Sequence, residues 1–236
     1  MKRFTKILST LALAAALCFI MPVPKHKYPV TLQQKASHMI VFLDKDGVGR
    51  RQCTATAIGP HAILTAEHCN DAEDEKAQND TVTLDLSSTH YHLLAKTMDH
   101  RDHVIYLLDG PAFKNFLEPS SLVNVRAATA GEKVFMYGDG KEYFPPRRVD
   151  GVVDVARQIA DVSDVDQDQQ LRYYTLTVLD GDSGSAVYGE DNRVLGVITY
   201  GYEGPGAAGF SLNFSEETIT IAHEFSIEKI MEQMTK

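Results

Sequence analysis

The stretch LDGDSGSAVYG, residues 179–189, decides how the rest of the chain is read. Glycine, aspartate and serine are ordinary turn residues, so Gly-Asp-Ser-Gly is by itself a plain loop. It is also a potential pedestal, holding one hydroxyl in front of two backbone N–H groups. Glycines permit the backbone angles that such an inward-turned loop needs. An apolar strand-like run follows at once. The remainder of the sequence separates the two readings.

The 236 residues carry a formal charge of −9, and 44% of them are hydrophobic. That is enough apolar material for a core and argues against disorder. Net negative charge and the lack of a basic tract argue against nucleic acid as a partner. The N-terminus stands apart. MKRFTK is basic and ILSTLALAAALCFIMPV is apolar, the pattern of a secretory signal over residues 1–22. CFIMPVP has no small-x-small ending, and about 17 apolar residues is the lower edge for a membrane span. A retained anchor over residues 7–23 is therefore the alternative to cleavage. Leu17 precedes Cys18 where a lipoprotein signal would want a small residue, so Cys18 is not read as a lipid site. Beyond the leader only Cys53 and Cys69 remain. An even pair in an oxidising compartment reads as one disulfide, with two buried free thiols as the alternative.

Residues 37–110 read as strands separated by turn signals: HMIVFLD, CTATAIG, HAILTA, TVTLDLSS, THYHLLAKT and HVIYLLD. Residues 109–130 are irregular and read as a crossing between halves. EKVFMYG, RVDGVVDVA, LRYYTLTVL, SAVYG, VLGVITYG and GFSLNF continue the pattern. Strands at this spacing suggest barrels or sandwiches. Only the end reads as helix: Ser226 can cap it, and Ile227, Ile230, Met231 and Met234 recur at helical spacing.

CTATAIGPHAILTAEHC, residues 53–69, ends with a histidine immediately before a cysteine. This block resembles the strand–turn–strand–His–Cys block of the chymotrypsin-like serine proteases, and GDSGSAV resembles their nucleophile loop. The two occur in the family's order, and the likeness covers roughly residues 37–235. It is nearer the small bacterial and viral members than the digestive enzymes, because the longer disulfide set is missing. The resemblance implies an all-β fold of two antiparallel Greek-key β-barrels: residues 28–115 with His68 and Asp102, and residues 126–236 with Ser183 and the terminal helix. A serine hydroxyl is a poor nucleophile until a base removes its proton. His68 would be that base, and a carboxylate would orient its ring. Asp102, opening the apolar run HVIYLL, is the choice, with Asp99 in the polar run TMDHRD as rival. The N–H groups of Gly181 and Ser183 would form the oxyanion hole. Glu67 departs from the small residue the family usually has before the histidine.

Thr177, six residues before Ser183, would lie at the base of the specificity pocket, without the carboxylate that favours Lys or Arg. The resemblance also implies that Thr199, Tyr200 and Gly201, on the strand after the serine, pair with a peptide backbone. Asp182 has no catalytic task. In animal members it pairs with an N-terminus made by zymogen cleavage, but no IVGG-like site follows this leader. A buried carboxylate needs a cation, and Arg147, Arg148 and Lys141 are the candidates. Partial burial with backbone N–H partners alone is the alternative. His90, His92, His100 and His103 offer a metal site only as the minor alternative, and DVDQD at 164–168 and DAEDE at 71–75 read better as solvated acidic loops than as calcium sites.

The expectation is a secreted, periplasmic or surface-anchored serine endopeptidase, monomeric, acting on peptide or protein substrates with no cofactor or metal. Its rivals are a catalytically silent relative that binds peptides in the same cleft, and a structural surface protein.

Overall fold

The computed structural model describes residues 29–70, 81–85, 87–98, 102–118, 130–140, 145–154, 171–202 and 208–212. The leader, the expected terminal helix, Asp99, His100, Lys141 and both acidic runs lie outside these. The architecture below belongs to the unit Leu32–Lys236. No helix among the described residues is long and apolar enough to cross a membrane.

The first half is a closed antiparallel barrel of six strands: β1 (Ser37–Leu43), β2 (Gly49–Gly59), β3 (Ala62–Ala66), β4 (Thr81–Leu84), β5 (His90–Met98) and β6 (His103–Asp109). Their order round the barrel is β1-β2-β3-β6-β5-β4, and pairing of β1 with β4 closes it. Every residue of β3 is buried, and so is β6 up to Leu108. A strand buried on both faces reads as a continuous apolar run rather than an alternating one, which HAILTA and HVIYLL are.

The second half is a seven-stranded antiparallel sheet, in the order β11-β10-β7-β8-β9-β13-β12. Its strands are β7 (Lys133–Gly138), β8 (Arg147–Asp154), β9 (Leu171–Tyr174), β10 (Ala186–Gly189), β11 (Val194–Val197), β12 (Tyr200–Tyr202) and β13 (Ala208–Leu212). The sheet curls so that β11 and β13 approach each other.

Alternation along β7, β10 and β11 builds two cores at once. Val134, Met136, Val187 and Leu195 join Leu176, Val178 and Ile198 in the core of the second half. Their neighbours Phe135, Tyr137, Ala186, Tyr188, Val194 and Val197 join the core that includes the barrel residues. Successive side chains of a strand point to opposite faces, so one apolar strand serves both. Phe135 and Tyr188 stack at 5.2 Å between ring centroids. The two halves are thus joined by a continuous apolar seam.

Cys53 and Cys69 form a disulfide that ties β2 to the short turn Glu67–Asn70 after β3. The chain-entropy argument gives a loop of this size about 3 kcal/mol. Reduction is expected to lower the unfolding free energy by that amount in denaturant titrations. An unchanged midpoint with both thiols demonstrably free would remove the claim.

Candidate active site

Strand register brings His68 and Asp102 together. Ala66, the last residue of β3, pairs with His103, the first residue of β6. The residues just beyond each strand end therefore share one edge of the barrel. There the Asp102 carboxylate accepts the His68 backbone N–H at 2.8 Å on Oδ1 and the ring Nδ1–H at 2.8 Å on Oδ2. Its carbonyl accepts the Glu67 N–H at 3.0 Å. Asp102 sits in the left-handed region at φ +59°, which aspartate and asparagine tolerate better than most residues. His68 is about one third exposed and Asp102 half that: 32% against 15%. A carboxylate on Nδ1 leaves the other ring nitrogen of a neutral imidazole as an acceptor. Asp102 is thus on His68, while the rival Asp99 lies outside the described residues.

The Gly181–Ser185 loop sits directly on the strands leading to that pair. Gly184, at φ +85°, presses against β2 and β3: a Cβ there would overlap the Thr54 carbonyl oxygen and Thr65 Oγ1. Gly181, at φ +92°, makes the other inward turn. Thr54 clamps the loop twice, its N–H donating to the Ser183 carbonyl and its hydroxyl to the Gly181 carbonyl, both at 2.8 Å. Gly184 N–H donates to Ile198 O at 2.8 Å. Among the described residues, no acceptor takes the N–H of Gly181 or of Ser183. Ser183 itself is half-buried.

Asp182 points the other way, into the protein, and is 0% exposed. Its carboxylate accepts from the Arg147 guanidinium, from Gly140 N–H at 2.8 Å and from Leu179 N–H at 2.8 Å. Burial pushes this carboxyl up, and Arg147 with the two N–H groups pulls it back. Arg147 comes from the start of β8, and the same Nη2 reaches the Thr177 carbonyl at 3.3 Å. Arg148, the next residue, turns outward to Asp150 and lies 4.1 Å over the Phe135 ring. Asp182 therefore has both a cation and backbone partners.

Removing one member of a buried ion pair strands the other, at about 3–5 kcal/mol. Arg147→Ala is expected to fall in that range by urea melts, with turnover lost through the displaced Ser183 loop. Normal stability and turnover in this variant would show that the backbone N–H groups suffice.

Of the residues expected to meet substrate, Thr177 is exposed at the head of the Ser183 loop. Thr199 is buried, its hydroxyl donating to Val197 O at 3.3 Å. With its side chain buried, only the backbone of Thr199 is left for a peptide. Tyr200 and Gly201 lie on β12, paired with Phe210 and Gly209 of β13. A Cβ on Gly201 would overlap Val178. His90 and His92 are exposed on β5 and His103 is buried on β6. Among the described residues, no three His, Cys, Asp or Glu are grouped to hold a metal.

Sequence reasoning missed several neighbours of the site. Arg51 donates to the His68 carbonyl. Gln52 Nε2 donates to Asp139 O at 3.2 Å, and Asp139 N–H to Thr54 Oγ1 at 3.1 Å. The one available signal was CTATAIG, where threonines occupy positions a buried strand would fill with apolar residues.

The chain belongs to the trypsin family, whose sequence profile matches residues 30–216. Solved structures share its fold. The Rv3671c protease from M. tuberculosis, in its active form, is 16% identical over 86% of this chain and 93% of that one, with a TM-score of 0.61. The serine endoprotease from Yersinia pestis is 17% identical over 87% of this chain and 68% of that one, with a TM-score of 0.55. A search of curated protein sequences found no match.

Proposed function

We propose that the chain is an exported serine endopeptidase that hydrolyses peptide bonds through an acyl-enzyme on Ser183. One observation carries the reading. The His68–Asp102 pair occupies the barrel edge on whose strands Gly184 seats the Ser183 loop. In this reading the Nε2 of His68 takes the Ser183 hydroxyl proton as Oγ attacks the scissile carbonyl. Asp102 holds the ring and stabilises its cationic form. The N–H groups of Gly181 and Ser183, unspent within the described structure, receive the oxyanion. His68 then protonates the leaving amine, and water enters by the reverse path to release the acid.

Backbone pairing to the Thr199–Gly201 segment would hold the substrate, and Thr177 offers no charge for a basic side chain. Export is supported by the basic–apolar leader and by the Cys53–Cys69 disulfide. Arg147 on Asp182 supports activity without a newly cleaved N-terminus. The test is digestion of an unfolded protein substrate, such as reduced casein. Cleavage abolished by a serine-directed inhibitor and untouched by chelators is expected. Binding of the same substrate without cleavage would favour the silent relative.

A further inference from the structure

Asp139 is fully buried, and neither of its carboxyl oxygens has a hydrogen-bond partner among the described residues. The reaction gives it no proton to carry. Yet it sits between the two glycines that cradle Asp182. A Cβ on Gly138 or on Gly140 would strike the Asp182 carboxylate, and Gly140 N–H binds Asp182 Oδ1. The other side of the same turn supports the proposed oxyanion hole. A Cβ on Gly181 would meet Gly140 Cα at 3.4 Å and the Asp139 carbonyl oxygen at 3.7 Å. The Asp139 backbone is fixed at both ends, by Thr54 Oγ1 and Gln52 Nε2 from β2.

Resting on the reading of Ser183 above, we propose that Asp139 is a positioning residue that works as the neutral acid, and that its ionisation unseats the Ser183 loop as the pH rises. A charged Asp139 would be a second buried carboxylate beside Asp182. Arg147, from β8, already gives its guanidinium to Asp182. The other charge felt at this position is Asp85, just after β4, and that carboxylate is itself paired with His38 of β1 at 2.6 Å. Among the described residues, no further cation is therefore placed to neutralise Asp139. Burial, with Asp85 and Asp182 adding repulsion, raises its pKa from 3.8 to about 8. Above that pH the carboxyl gives its proton to water, and the new charge must reach solvent or a cation. Either way the Gly138–Gly140 turn moves. The Gly140 N–H then leaves Asp182, and Gly181 loses its backing.

Linkage fixes the sign. The folded protein holds this proton more tightly than the unfolded chain. Its contribution to stability is complete below pH 3.8, declines as the pH climbs towards about 8, and is constant above. Asp139→Asn keeps the shape of the neutral acid and cannot ionise.

The experiment compares kcat and KM at pH 7 and pH 9 for wild type and Asp139→Asn. In wild type, kcat is expected to fall about tenfold, the neutral fraction one unit above the midpoint, with KM little changed. The variant should keep most of its pH 7 value. An alkaline limb of the same size in both proteins would overturn the proposal. A second arm needs no turnover: melting in a Ser183→Ala background. The Tm advantage of Asp139→Asn should widen from pH 5 to 8 and then level off. A constant difference would also overturn it. If that widening appears but no protein hydrolyses peptides at any pH, the reading of Ser183 has failed and the ionisation stands.

Discussion

Ser183→Ala protein is expected to hydrolyse peptides roughly a millionfold more slowly than wild type, because groups that act as one unit lose nearly everything together. It is expected to melt at the same temperature. The structural reason is that the loop is held by its backbone. Ser183 O accepts Thr54 N–H at 2.8 Å, Gly184 N–H reaches Ile198 O at 2.8 Å, and Ser185 N–H reaches Asp182 O at 3.0 Å. Truncating a half-buried hydroxymethyl group touches none of these bonds. Steady-state turnover and a melting curve on one preparation check both halves. Wild-type turnover in the alanine protein would mean that another group is the nucleophile. A lost fold would mean that the hydroxyl has a structural task the hydrogen bonds do not reveal.

Asp102→Asn is expected to lower turnover about ten-thousandfold, by presenting the wrong imidazole tautomer. Asp102 accepts two hydrogen bonds from one residue, the His68 N–H and the ring Nδ1–H. An amide has one oxygen for these two donors. If that oxygen stays on the backbone N–H, the amide group faces Nδ1 as a donor. Nδ1 must then be the acceptor, and the proton moves to the ring nitrogen that should receive the Ser183 proton. Asparagine adopts the φ +59° conformation as readily as aspartate, so the exchange tests charge and tautomer without adding backbone strain. Asp99→Asn is expected to matter far less. Equal or larger loss at Asp99 would transfer the role there.

Local pattern made much of this legible. HAILTA and HVIYLL are strands buried on both faces, and their continuous apolar character signals it. His68 follows the first of these strands and Asp102 precedes the second, and it was the resemblance of the two blocks to the protease family that singled them out. What the sequence hides is contact across the chain. LRYYTLTVL reads as one strand, but only Leu171–Tyr174 is in the sheet. Thr175 still bonds β8, its N–H donating to Val152 O and its hydroxyl accepting Val152 N–H, both at 3.0 Å, and Leu176 fills the space over Gly151. Beyond these contacts the chain leaves the strand and Thr177–Asp180 leads into the Ser183 loop. Arg147 and Arg148 are adjacent in sequence and opposite in fate, because neighbouring residues of β8 face opposite sides. Asp139 in YGDGK looks like any turn acid. Its burial comes from Asp182 and Gln52, both distant in sequence, and no local pattern reports that.

Reaction of the folded protein with a peptidyl organophosphonate tests the central claim most directly, because such a probe needs an activated serine and an oxyanion hole together. Stoichiometric labelling of wild type at Ser183, mapped by mass spectrometry, is expected, with no labelling of Ser183→Ala or of urea-unfolded protein. Label on a different residue, or a native protein that the probe leaves unmodified, would contradict it.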